Sequence, residues 1–123
     1  MSNSQRKLLD RIVVGDIFHA KTSNDASLIC LVTGLNEKYI ESRTVTNQKY
    51  VQIDRTTGLG KMGTGSVDCF VDSLAPLPVA IYNEMLGLDR KFRLAQNEDD
   101  LKLTDSEKNA LLFIYSFYAE RPL

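Results

Sequence analysis

The sequence predicts an α+β fold: a small antiparallel β-barrel or bent sheet of about five strands, followed by two C-terminal helices. Three observations carry this. Residues 12–74 hold five short runs with alternating or β-branched apolar patterning. The connections between those runs are too short for the crossovers that parallel strands need. After Leu74-Ala75-Pro76-Leu77-Pro78 the apolar spacing changes from two to the helical period. With 123 residues, 43% of them hydrophobic, the chain is long enough for one domain with a core that needs no staples. Residues 12–74 form its β part and residues 75–123 its helical part.

The predicted strands run over 12–21, 27–33, 38–46, 49–54 and 67–72. In the fourth, Val51 and Ile53 share a face; in the fifth, Val67, Cys69 and Val71 do. Thr22-Ser23-Asn24-Asp25, Gly34-Leu35-Asn36-Glu37 and Asn47-Gln48 supply turn chemistry between them. This arrangement, beginning at GDIFHAK and covering residues 12–72, resembles SH3-like small barrels. The resemblance is one of fold and implies no site.

Pro78 suits the first turn of a helix, and Ile81, Met85 and Leu88 recur at helical spacing over 79–88, with Gly87 near the expected end. Asn97-Glu98-Asp99-Asp100 reads as a solvated loop. Thr104-Asp105-Ser106-Glu107 is a capping-box signature opening a second helix over 105–119. Leu111, Leu112, Phe113, Ile114, Tyr115, Phe117 and Tyr118 surround most of that helix. Such a pattern predicts burial on more than one side, between sheet and first helix or against a partner subunit.

Residues 55–66, RTTGLGKMGTGS, contain the G-x-G-x-x-G pattern at Gly58, Gly60 and Gly63. A dinucleotide fingerprint requires a helix after the loop, whose N-terminus holds the pyrophosphate. Here the following SVDCFVD alternates as a strand. The alternative phosphate loop fails because Met62 follows Gly60-Lys61 where a hydroxyl residue is needed. The expectation is instead a long, flexible connection between strands.

Net charge is -1, so only local charge can speak for a polyanionic partner. From residue 38 to 66, Lys38, Arg43, Lys49, Arg55 and Lys61 face only Glu41 and Asp54 as acids, with Tyr39 and Tyr50 interleaved. Alternation puts Tyr39, Glu41, Arg43 and Val45 on one face and Tyr50, Gln52 and Asp54 on another. Cations with aromatic rings can stack bases and track phosphates; a solvated sheet face has the same composition.

His19 stands alone as a histidine, and Cys30 and Cys69 sit in apolar runs without ligand spacing. They are expected to be reduced, buried thiols. No metal, cofactor or catalytic constellation is expected. The start of the chain has no long apolar run after its basic residues, and a cytoplasmic protein without membrane association is expected.

These residues point first to a non-enzymatic binding or regulatory module. It would associate with a second copy (a homodimer) or another protein through Phe113, Phe117 and Tyr118, aided by the flexible basic loop. The alternative is a nucleic-acid-binding accessory protein using Tyr39, Arg43, Lys49, Tyr50, Arg55 and Lys61. A further alternative is a small hydrolase or ligand-binding protein with His19 and Asp16 at its site.

Overall fold

A computed structural model describes residues 9–62, 67–97 and 101–121. Six strands, β1 (Ile17–Thr22), β2 (Ser27–Leu35), β3 (Tyr39–Thr44), β4 (Tyr50–Asp54), β5 (Leu59–Met62) and β6 (Val67–Ser73), precede two helices, α1 (Val79–Leu94) and α2 (Asp105–Glu120). Each strand pairs antiparallel with the next, and β1 pairs with β6, so the sheet closes into a barrel. Closure leaves no edge strand exposed to pairing with another chain. The predicted fold class holds, with one strand more than the alternation indicated.

The added strand is β5, drawn from the glycine-rich stretch. Asp54 starts the turn before it: its Oδ1 accepts from the N–H groups of Thr56 at 2.7 Å and Thr57 at 3.1 Å. Gly58 then takes φ +74°, a left-handed conformation that suits glycine. Gly60 pairs with Ile53 on one side and Cys69 on the other. A Cβ there would stand 1.9 Å from the carbonyl oxygen of Gln52, so only glycine lets β4 and β5 approach this closely. The connection expected over 55–66 is therefore a short turn and a strand as far as Met62; residues 63–66 lie outside the described residues.

Strand β1 starts at Ile17 rather than at residue 12. Asp16 bonds back across a turn, its N–H donating to the Val13 carbonyl at 3.0 Å and its Oδ2 accepting from the Val13 N–H at 2.9 Å. Ile12 and Leu9 instead fill the barrel interior. Helix α1 continues through Gly87 to Leu94, because Met85, Leu88 and Asp89 hold its middle against the rest of the molecule. Of the loop expected at 97–100, residues 98–100 lie outside the described residues. The capping box is formed: Thr104 accepts from the Glu107 N–H at 3.1 Å and Glu107 accepts from the Thr104 N–H at 2.9 Å.

Alternation along the strands sorts apolar side chains into two cores. Phe18, Ala20, Cys30, Val32, Ile40, Val51, Ile53, Cys69 and Val71 fill the barrel. Ile17, Ile29 and Val45 point outward instead, and the helices cover them with Met85, Leu88, Ala110, Ile114 and Tyr118. Part of the barrel wall thus lies beneath the helices. Among the described residues, no helix is long and apolar enough to cross a membrane.

Candidate functional site

The outward side chains of β3, β4 and β5 form the wall that carries most of the sequence-predicted basic and aromatic residues. In register, Tyr39 stands opposite Asp54, Glu41 opposite Gln52, and Arg43 opposite Tyr50. The two sets expected on separate faces are therefore neighbours on one outer surface. Lys61 extends it, opposite Gln52 on β4 and Asp68 on β6. Val45, expected beside Arg43, is buried beneath the helices.

Several of these cations are engaged within the chain. The Arg43 guanidinium donates to Asp89 of α1, at 2.7 Å to Oδ2 and 3.4 Å to Oδ1, and Gln48 Nε2 donates to the same Oδ1 at 3.5 Å. Arg55 donates to the carbonyl oxygens of Asn36 at 2.9 Å and Asp10 at 3.3 Å, tying the N-terminal segment to the β2–β3 hairpin. Lys61 Nζ lies 3.6 Å from Asp68 Oδ1. Lys49 and Tyr50 are exposed, and Tyr39 is half-buried.

Helix α2 supplies a second surface. One side packs Ala110, Ile114 and Tyr118 against the barrel and α1. On the other, Leu112 is 67% exposed and Phe113 42% exposed. Phe113 stacks on half-buried Phe117 with centroids 5.9 Å apart, and the Arg121 guanidinium sits 5.1 Å from the Phe117 ring centre. Of the three residues expected at an interface, Phe113 is exposed, Phe117 is half-buried and Tyr118 lies within the chain's own core. Tyr118 points inward because positions 110, 114 and 118 form the i, i+4, i+8 stripe that meets the barrel.

The third cluster surrounds His19. Its Nδ1 lies 3.1 Å from Asp72 Oδ2, and its ring stacks on Tyr118 with centroids 5.4 Å apart. Asp16 is engaged with Val13 instead. Asp16 lines a separate cavity of about 300 Å³, with Arg11, Ile12, Ile17, Leu77 and Tyr82. Burial lowers the tendency of His19 to take a second proton, and the Asp72 carboxylate opposes that effect in part.

Cys30 and Cys69 both face the barrel interior as free thiols. Burial pushes Cys69 up to about 11 and Cys30 further, so neither is a thiolate near neutrality. Among the described residues, no group of three or more His, Cys, Asp or Glu side chains is placed to hold a metal ion.

One of these partnerships had a signal in the sequence. Asp89 falls on the apolar stripe of α1, four residues after Met85, and a carboxylate there calls for a cation. Comparison with family models, curated proteins and solved structures finds no match to this chain.

Proposed function

We propose that this chain is a cytoplasmic, non-enzymatic binding module that associates with a second copy of itself through the outer side of α2. The barrel, SH3-like by analogy, acts as the scaffold. The observation that carries this reading is the exposure of Leu112 and Phe113 side by side on a helix whose opposite face is fully engaged. Leu112, and Phe113 stacked on Phe117, are large apolar side chains that are costly to leave in water, and burying them against a partner recovers that free energy. A net charge of -1 offers little repulsion between copies. Exposed Lys49 and Lys61 add steering at longer range.

Light scattering coupled to size exclusion tests the reading. The expected result is a dimer for the natural chain and a folded monomer for Leu112→Glu combined with Phe113→Glu. A natural chain that stays monomeric at high concentration, or a double variant that stays dimeric, overturns it.

A nucleic-acid surface is the second reading, favoured by the register that sets Tyr39, Arg43, Tyr50 and Lys61 on one wall. Its support is weaker because Arg43, Arg55 and Lys61 already have partners within the chain. In the same column experiment, a single-stranded oligonucleotide that co-elutes at low salt with both the natural chain and the double variant favours this second reading.

A further inference from the structure

His19 occupies the seam where the barrel closes. Along that seam His19 pairs with Ser73 and Ala20 with Val71, and the register shifts between them. Asp72 is the extra residue of a β-bulge, a feature that re-aims side chains. The result is that Asp72 and His19 meet on the outer wall, beneath the last turns of α2.

Those turns are fastened to the seam at the same place. Tyr118 lies over the His19 ring with 14° between planes, and its hydroxyl donates to the Ile17 carbonyl at 3.2 Å. Ser73 Oγ donates to the carbonyl of Arg121 at 2.6 Å. The barrel's closure, the docking of α2 and the chain's single imidazole therefore converge.

A neutral His19 that donates Nδ1–H to Asp72 is satisfied there. A second proton adds a charge and a second N–H donor to a residue only 2% exposed, and desolvation opposes that form. The charged and titratable groups around it are Asp72 on β6, Lys21 on β1 and Tyr118 on α2; Arg121 brings only its backbone carbonyl to the seam, its guanidinium lying over Phe117. Asp72 favours the imidazolium, Lys21 opposes it, and burial is the largest influence. Tyr118 stays neutral throughout, since burial first, then Asp16 and Cys30, raise its phenol.

We propose that His19 and Asp72 make the docking of α2 proton-sensitive, with one proton taken up at His19 loosening the last turns of α2 from the β1–β6 seam. The direction follows from linkage. His19 is held below its ordinary 6.5 in the folded chain, so the undocked or unfolded form binds the proton first. Stability is full above about pH 6.5 and falls as pH drops towards the folded value. The inference does not depend on which partner α2 contacts.

A single histidine makes the test direct. The imidazole signals of the natural chain are followed by NMR from about pH 8 to about pH 4.5, with amide exchange measured over residues 114–121. The expected result is titration below 6.5, with protection of those amides, corrected for intrinsic exchange, falling over the same range. In His19→Phe, which keeps a ring against Tyr118 but cannot titrate, that fall disappears. Titration at or above 6.5, protection that does not change with pH, or an unchanged fall in His19→Phe overturns the proposal. If His19→Phe does not fold, the titration and exchange of the natural chain decide alone.

Discussion

The helix-covered and bare parts of the barrel wall carry similar residue types with different consequences. Under the helices, Arg43 is 26% exposed and Asp89 6% exposed, and buried His19 meets a partly exposed Asp72. On the bare part, Lys61 and Asp68 form an ion pair with both side chains open to solvent. An acid beside a base occurs in each, yet the surrounding medium differs. Where water is excluded, losing a partner strands a charge or a donor; where water remains, it replaces the partner. Placement of the two helices, rather than the list of charged residues, decides which pairs the fold depends on.

The largest effect expected on the covered side comes from Tyr118→Ala. Tyr118 is fully buried, stacked on His19 and bonded to the Ile17 carbonyl. Its truncation should cost about 4 kcal/mol, as other buried aromatic-to-alanine changes do, out of a total of about 5–15 kcal/mol for a domain. Urea unfolding reads this as a lower midpoint at unchanged slope. A loss below about 1 kcal/mol would mean that α2 is not docked on the barrel, and the distinction between the two parts of the wall would fail.

Asp89→Ala comes next. It leaves the Arg43 guanidinium and Gln48 Nε2 without their carboxylate. A fully buried pair broken this way costs about 3–5 kcal/mol, but partly exposed Arg43 regains water, so about 2 kcal/mol is expected. Thermal unfolding of Asp89→Ala, of Arg43→Ala and of the two combined should show the double variant losing less than the sum of the singles. Strict additivity would place Arg43 with the surface cations.

Much of the barrel was legible because its strands alternate. Val51 and Ile53 face inward as their spacing required, and the Thr104–Glu107 box forms where hydroxyl and carboxylate stand three apart. β5 was not legible. Gly60 sits there because a backbone oxygen approaches closely, and a glycine chosen for proximity looks like one chosen for a loop. The meeting of His19 and Asp72 depends on a bulge, which single-sequence periodicity does not register. On α2, apolar residues around the circumference predicted burial on more than one side without saying which face meets the barrel. Packing chose Ala110, Ile114 and Tyr118, and left Leu112 and Phe113 outside.

The smallest effect expected belongs to the bare side. Asp68→Ala removes the partner of Lys61, yet both ends lie in water and long side chains lose freedom on pairing. Stability should change by no more than about 0.5 kcal/mol, and raising the salt should erase even that difference. A double-mutant cycle between Lys61 and Asp68 would read the coupling directly. A coupling above about 1 kcal/mol would show an ion pair held rigidly despite its exposure. A coupling near zero carries the opposite lesson. The fold then makes no demand on this pair, so a contact made by Lys61 with another molecule would not compete with the stability of the barrel that presents it.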